Sequence, residues 1–218
     1  MNWAAIKKAT DDAHGVVKPF KQSAITKKYR ERDSELYPGG ICLALSVFYL
    51  SRENGRTFND LVAGVYLKPL DEAENEPLFA AQVQEIMMRQ QRIKKGKSGT
   101  KNKNFIETFV PFVEWMKELA PRYGLELIGA NTGEALNPGV IAREVLRSQN
   151  GYVLGFGGGG GGHAVAARND GEKIAFFDPN CGSFQIPSNN FSRWFVEFMY
   201  DSEYQQKYGT TFTSAAFR

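Results

Sequence analysis

The apolar positions divide the chain into a helical first part and a strand-rich second part. Residues 41–51, ICLALSVFYLS, are apolar on every side, which is typical of a helix that runs through a protein core. From Leu125 onward, short apolar segments separated by Gly, Asp and Asn turns indicate strands. This order predicts an α+β fold in which a helical lobe packs on an antiparallel sheet lobe, with a cleft between them.

Periodic apolar positions predict further elements on both sides of this division. The predicted helices, besides 41–51, are 3–12, 58–67, 75–91, 105–123, 137–150 and 189–208. The predicted strands are 125–130, 152–157, 163–169, 173–178 and 183–186, with 209–217 as an edge strand that closes the sheet. Because residues 1–36 are polar and charged, we predict a partly helical N-terminal extension there. The main domain is then 37–218, with its helical lobe ending near residue 124 and its sheet lobe beginning near 125.

Composition and charge exclude several classes of protein. The net charge of +3 is too small to indicate nucleic acid binding by the whole chain. No apolar run reaches the roughly 18 residues of a membrane span, and residues 1–15 lack an apolar signal core. The basic segment 92–104 contains no aromatic residue for base stacking. We predict an exposed loop there, and its functional alternative is contact with an anionic membrane surface or an acidic partner.

Six consecutive glycines, residues 157–162, precede one of the two histidines of the chain. A phosphate-binding loop requires Lys-Ser or Lys-Thr and then a helix, whereas HAVAARN follows here and predicts a strand. We therefore expect a hairpin turn between two strands. Ordering six glycines costs conformational entropy, and a shorter turn would connect the strands. The additional glycines therefore suggest a mobile loop or a place where another backbone passes close.

Cys42 is the stronger candidate nucleophile of the two cysteines. It follows Pro-Gly-Gly-Ile and opens the apolar helix, where the helix dipole and free N–H groups lower the pKa of a thiol. The alternative is a buried structural cysteine. Cys181 lies in a turn where no helix opens. The spacing of the cysteines and histidines excludes a tetrahedral zinc site, and we expect neither a metal nor another cofactor.

His163 and Asp178 are predicted to meet across a hairpin. His163 begins one strand and Asp178 ends the next, with the turn signal Asn-Asp-Gly between them. A carboxylate at this place is expected to accept the Nδ1 proton and hold the imidazole in one tautomer. The alternatives are that Asp178 caps a local turn, or that Asn180 orients the ring instead.

Three motifs around these residues resemble those of the YopT/AvrPphB-type cysteine peptidases, which are bacterial effector proteases of papain-like fold. The motifs are GGICLALS, GGHAVAA and FFDPNCG, in an arrangement that spans about 37–198. The resemblance implies a papain-like fold with a central Cys-bearing helix. It also implies that Cys42 is the nucleophile, His163 the base and then the acid, and Asp178 the orienting carboxylate.

One feature departs from the papain-like pattern. Such enzymes place a Gln or Asn shortly before the cysteine to bind the oxyanion, but residues 30–41 contain no side-chain amide. The expected donors are the Cys42 backbone N–H with Tyr37, Ser34 or another amide. The residues expected to form the oxyanion and substrate-binding region are Tyr37, Gly40, Gly161, Gly162 and Asn180.

The sequence leads to one main functional hypothesis and two alternatives. The main one is a cysteine endopeptidase, injected by a leaderless route, that cleaves a host protein in the host cytoplasm. By family analogy the substrate is a small GTPase or a kinase. The first alternative is a deamidase, transglutaminase or acyltransferase, because these reactions share the thioester intermediate. The second is a binding module with a degenerate site.

Overall fold

Strands dominate the residues that the computed structural model describes, which are 1–23, 42–51, 113–114, 116–118, 120–133, 135–158, 161–209 and 211–218. The strands are β1 (Val16–Pro19), β2 (Leu127–Gly133), β3 (Gly151–Gly158), β4 (Gly161–Asn169), β5 (Lys173–Asp178), β6 (Gly182–Pro187) and β7 (Thr211–Phe217). They form one sheet in the order β1-β6-β5-β4-β3-β7-β2, and all neighbours are antiparallel. The helices are α1 (Trp3–Asp12), α2 (Cys42–Leu50), α3 (Pro138–Leu146), α4 (Ser188–Asp201) and α5 (Tyr204–Tyr208).

Capping residues explain where two of the helices begin. The side chain of Asn2 accepts a hydrogen bond from the first turn of α1 at 3.2 Å. Asn137 does the same for α3, also at 3.2 Å, and Pro138 occupies its first turn. The prediction of α1 is confirmed. The start of α3 is confirmed as well, although the helix ends at Leu146 rather than at residue 150.

Several predicted elements lie outside the described residues. These are the helices 58–67 and 75–91 and the basic segment 92–104. In the predicted helix 105–123, residues 113–114 and 116–118 are helical, and Ala120–Tyr123 form a short 3₁₀ helix. No helix in the described ranges is long and apolar enough to cross a membrane.

The glycine run lies at the end of the predicted β3–β4 hairpin. Gly157 pairs with Gly162, and Gly158 pairs with Gly161. Four of the six glycines therefore belong to strands rather than to a mobile loop. The close approach of another backbone occurs within the chain itself, because Gly157 also forms a bridge with Gly209.

The prediction that residues 209–217 form an edge strand is wrong. β7 lies inside the sheet, with β3 on one side and β2 on the other. The edges are β2 and β1, and β1 was not predicted because it has only four residues, mostly exposed. Apolar alternation identifies a strand but carries no information about which strands pair with it. Through α1 and β1, the predicted N-terminal extension contacts α4 and the sheet.

The prediction of one helix over residues 189–208 is also wrong. α4 ends at Asp201, and its C-cap Ser202 donates its N–H to the Phe198 carbonyl. Glu203 then takes a left-handed conformation with φ of 61°, and α5 begins at Tyr204. Apolar side chains continue at helical spacing across this break, so their pattern gave no sign of it.

Aromatic side chains from the sheet and α4 form the centre of the larger core. The ring centroid of Phe176 in β5 lies 5.1 Å from that of Phe198 and 5.3 Å from that of Trp194. Trp194 Nε1 donates to Thr10 Oγ1 at 3.0 Å, which ties α1 to the same layer. This side of the sheet is therefore covered by helices from both ends of the described chain.

The helix α2 covers the opposite face of the sheet. Successive residues of a strand point to opposite faces, and Phe177, next to Phe176, stacks on Tyr49 of α2 at 4.8 Å. At the C-terminal end of α2, Arg168 Nη2 of β4 donates to the Leu50 carbonyl at 2.8 Å. A cation at this end satisfies an otherwise unpaired carbonyl and complements the helix dipole.

Phe176→Ala should lower the free energy of unfolding by about 3–5 kcal/mol, because it leaves a cavity at the centre of the aromatic core. Urea denaturation followed by tryptophan fluorescence measures this. Val196 of α4 is 46% exposed, and Val196→Ala should change the free energy by less than about 0.5 kcal/mol. Equal stability of the two variants would contradict the packing described.

Candidate active site

A buried histidine–carboxylate pair joins β4 to β5. His163 Nε2 lies 3.0 Å from Asp178 Oδ1, and the two side chains are 2% and 0% exposed. The predicted contact across the hairpin is therefore present. Both groups come from the ends of paired strands, so the sheet itself sets their separation.

The ring nitrogen that faces the carboxylate is Nε2, whereas the sequence analysis expected Nδ1. Ala166 pairs with Phe177 in the β4–β5 ladder, which sets Asp178 opposite Val165, two residues beyond His163. Such diagonal neighbours are roughly 7–8 Å apart. Only the far nitrogen of the ring, Nε2, spans that separation. With Asp178 as acceptor, the neutral ring carries its proton on Nε2 and presents a lone pair at Nδ1.

Cys42 is the first residue of α2 and is 9% exposed. The side chain of His163 and the backbone N–H groups of Ala164 and Leu43 lie close enough to its thiol to lower the pKa. Because Nε2 is taken by Asp178, we infer that Nδ1 is the nitrogen that meets the thiol. The thiol, the ring and the carboxylate thus lie in series.

Opposite charges hold the thiol and the imidazole in their ionised forms. Burial alone would raise the pKa of Cys42, but the hydrogen bond and charge of His163, with the two N–H groups, lower it below the ordinary 9.0. Burial would lower the pKa of His163, but the charge and hydrogen bond of Asp178, with a contribution from Cys42, raise it to about 10. A lowered thiol pKa and a raised imidazole pKa both favour a thiolate–imidazolium pair.

The turn after β5 fixes the position of Asp178. Asp178 Oδ1 also accepts the backbone N–H of Asn180 at 2.7 Å, and the Asp178 carbonyl accepts the N–H of Cys181 at 3.1 Å. The N-terminal segment runs beside this turn, where the N–H of Gln22 donates to the Pro179 carbonyl at 2.6 Å. Asp178 therefore both caps its turn and pairs with the histidine, so the two sequence-based interpretations are compatible.

Asn180 lies on the thiol side of the ring rather than behind it. Its Nδ2 is 3.5 Å from His163 Nδ1 and donates to the Tyr204 hydroxyl at 3.0 Å. Its Oδ1 accepts a hydrogen bond from Gln22 Nε2 at 2.6 Å. Since Asp178 occupies Nε2, the carboxylate is the group placed to orient the ring, whereas Asn180 lies nearer to Nδ1.

The remaining predicted residues have mixed outcomes. Tyr37 and Gly40 lie outside the described residues. Gly161 and Gly162 begin β4 directly before the histidine, and their part in substrate binding stays a prediction. Cys181 is buried, and burial and then the charge of Asp178 raise the pKa of its thiol, which agrees with its ranking below Cys42 as a candidate nucleophile.

The sequence analysis missed three residues at the site. The ring centroids of Tyr204 and Tyr208 lie 4.8 and 6.1 Å from that of His163. Their spacing of four residues suggested a continued helix, and nothing else in one sequence relates them to the histidine. Gln22 lies before residues 30–41, the region in which an oxyanion-binding amide is expected. It comes near the site because its backbone and side chain are hydrogen-bonded to residues 179 and 180.

This arrangement supplies the parts of a nucleophilic acyl-transfer reaction. A thiolate attacks a carbonyl carbon, an imidazolium gives a proton to the leaving group, and a buried carboxylate keeps the imidazolium charged and oriented. The fold and the site therefore define a thiol-dependent enzyme class, of which cysteine peptidases are one member.

Comparison with known proteins gives the family. The model of the family Peptidase_C58, Yersinia/Haemophilus virulence surface antigen, matches residues 13–217. The chain belongs to this family of cysteine peptidases, in agreement with the motifs noted in the sequence.

A solved structure supports the same fold. The crystal structure of the Pseudomonas avirulence protein AvrPphB is similar with a TM-score of 0.59 and 16% identity, over 84% of this chain and 94% of that one. Both share a mixed fold of helices and antiparallel sheet. No curated protein matches the chain in a sequence search.

The rate at which iodoacetamide alkylates Cys42 should reach half its maximum at a lower pH than for a free thiol, because the pKa of Cys42 is lowered. Asp178→Asn removes the charge that keeps the imidazole protonated, so the half-maximal pH of alkylation should rise by about one unit or more. Peptide mapping by mass spectrometry locates the label on Cys42.

The control for this titration is Glu126→Gln, which neutralises a carboxylate in an exposed ion pair with Arg218. It should leave the profile unchanged. A wild-type profile that rises only through about pH 8.5, as for a free thiol, would show that the thiolate is not stabilised.

Proposed function

We propose that the protein is a cysteine endopeptidase that acts on a host protein, with Cys42, His163 and Asp178 as its catalytic triad. The observation that carries this proposal is the buried His163–Asp178 pair beside a thiol at a helix start, in a chain of a cysteine peptidase family. A structural cysteine would not require two buried ionisable partners aligned with it, because burying such groups is costly.

In the first half of the reaction, the Cys42 thiolate attacks the carbonyl carbon of a peptide bond. A carbon–sulfur bond forms, and the carbonyl electron pair moves to oxygen. When the tetrahedral intermediate collapses, the carbon–nitrogen bond breaks and the amine takes the proton from His163 Nδ1. The products are a free amine and a thioester on Cys42.

In the second half, His163 acts as the base. Its neutral Nδ1 accepts a proton from water, and the oxygen of that water attacks the thioester carbon. The carbon–sulfur bond breaks, a carboxylic acid leaves, and Cys42 and His163 return to the thiolate–imidazolium pair. Asp178 keeps Nε2 protonated throughout, so that only Nδ1 exchanges protons.

The backbone N–H of Cys42 is the proposed first donor to the oxyanion. It lies at the open start of α2, where N–H groups lack partners within the helix. Tyr37 and Gly40 are proposed to complete this region, and Gly161 and Gly162 to let the substrate backbone pass close to the histidine.

We also propose that α2 is the central helix of a papain-like helical lobe within residues 37–218. In support, α2 packs on the sheet through Tyr49 and Phe177 and presents its first residue to β4. A cleft between two lobes admits an extended chain, which suits cleavage within a protein rather than at its end.

The proposed substrate is a host small GTPase or kinase, by analogy within the family. The basic segment 92–104 is proposed to hold the enzyme at an anionic membrane surface, where it would meet such a substrate. Delivery is proposed to follow a leaderless secretion route into the host cytoplasm, in keeping with a family of virulence proteins.

Incubation of a host-cell lysate with the wild-type protein should create new protein N-termini that are absent with Cys42→Ser. The serine hydroxyl is a far weaker nucleophile, and loss of a triad nucleophile costs on the order of 10⁶ in rate in a comparable enzyme. Isotope labelling of N-termini and mass spectrometry identify both the substrate and the cut.

Asp178→Ala should reduce the yield of these N-termini, while Glu126→Gln should match the wild type. Deamidation would replace the peptidase proposal if no new N-termini appeared and intact proteins gained about one dalton. That gain is expected when a side-chain amide is hydrolysed.

A further inference from the structure

The break between α4 and α5 brings two tyrosines to the histidine. After the left-handed Glu203, Tyr204 and Tyr208 lie one helical turn apart on the same side of α5. Their rings are 5.7 Å from each other, and the ring of Tyr204 lies 4.8 Å from that of His163. The break therefore places an aromatic wall against the imidazole.

Tyr204 is the fixed member of this wall. It is 2% exposed, whereas Tyr208 is half-buried. Burial, and then the negative charge of Asp178, raise the pKa of the Tyr204 hydroxyl, so the group stays protonated. Its oxygen accepts the hydrogen bond from Asn180 Nδ2 at 3.0 Å.

This hydrogen bond is made by the side-chain amide of Asn180, which lies beside His163 Nδ1. Asn180 Nδ2 is 3.5 Å from His163 Nδ1, longer than a normal hydrogen bond, and the bond to Tyr204 is the shorter of the two. If the amide instead donated to Nδ1, it would occupy the lone pair that must take the proton of Cys42. The thiol would then remain protonated and unreactive.

We propose that Tyr204 is a positioning residue, whose hydroxyl holds the Asn180 amide away from His163 Nδ1 and so keeps that nitrogen available to the Cys42 thiol. Gln22 assists from the other side, because its Nε2 fixes Asn180 Oδ1 at 2.6 Å. The role of Tyr204 rests on the proposed function in one respect, which is that Cys42 and His163 react as a pair.

Several titratable groups surround the imidazole and bear on the test. Cys42 of α2, Asp178 of β5 and the rings of Tyr204 and Tyr208 lie beside it, and the Cys181 thiol and the Tyr204 hydroxyl lie beside Asp178. Tyr204→Phe keeps the ring against the imidazole and removes only the hydroxyl, which is uncharged at neutral pH. The Tyr204 hydroxyl also interacts with Asp178 and Cys181. A change in Cys42 reactivity in this variant therefore passes through Asn180 or through Asp178, and only the first route is lost when Asn180 is replaced.

The test is the pH profile of Cys42 alkylation by iodoacetamide, read by peptide mapping. In Tyr204→Phe the half-maximal pH should rise by about half a unit or more, because the released amide bonds Nδ1. Tyr152→Phe is the matched control. Tyr152 is also buried, and its hydroxyl is bonded to Ser148 Oγ at 2.7 Å, on a part of β3 that pairs with Ala167. This variant should leave the profile unchanged.

A second variant tests the route through Asn180. Asn180→Ala alone should not raise the half-maximal pH, and in its background Tyr204→Phe should have no further effect. The proposal is overturned if Tyr204→Phe behaves like Tyr152→Phe, or if its shift persists without Asn180. It is also overturned if Asn180→Ala alone raises the half-maximal pH, and this last result remains decisive should Tyr204→Phe fail to fold.

Alkylation requires no protein substrate, so the two proposals fail separately. A wild-type protein with a stabilised thiolate that cuts nothing in a lysate would contradict the endopeptidase function and leave the role of Tyr204 intact. A protein that cuts a substrate, but whose Cys42 alkylation profile is the same in Tyr204→Phe, would support the endopeptidase function and contradict the role of Tyr204.

Discussion

The contact between His163 and Asp178 is the interaction on which the candidate site depends. Both side chains are almost fully buried, and taking an unpaired charge out of water costs several kcal/mol, so the charged imidazole depends on the carboxylate beside it. The charge held on the imidazole then lowers the pKa of the Cys42 thiol. In the proposed function, the carboxylate therefore sets the chemistry of the cysteine through the ring between them.

The surrounding structure keeps these three groups at fixed separations. β4 holds the Cys42 helix at both ends, because His163 meets its first residue and Arg168 binds the carbonyl of its last, Leu50. The turn that carries Asp178 is bonded to the backbone of the N-terminal segment at Gln22. A helix, two strands and a turn are therefore coupled, and this rigidity suits a site that must align a nucleophile with its base.

The sequence predicted the parts of this site that follow from local rules. A histidine and an aspartate at the ends of hairpin strands are brought together by periodicity and a turn signal alone. A cysteine at a helix start is a candidate nucleophile by its position, and the family resemblance joins it to the other two. The orientation of the ring was wrong because it depends on strand register, which places Asp178 two residues from the position opposite His163. The break at Glu203 was missed because the apolar spacing is the same for one continuous helix and for two helices. The inner position of β7 was missed because an edge strand and an inner strand can share one apolar pattern.

The most direct test of the central claim is the ¹⁵N NMR titration of the imidazole. The chain has only two histidines, His14 and His163, so His163→Gln assigns the signals. The account predicts that both nitrogens of His163 carry protons at neutral pH and that the ring loses its charge only near pH 10. A His163 ring that is neutral at pH 8 and titrates near 6.5, the ordinary value, would contradict it.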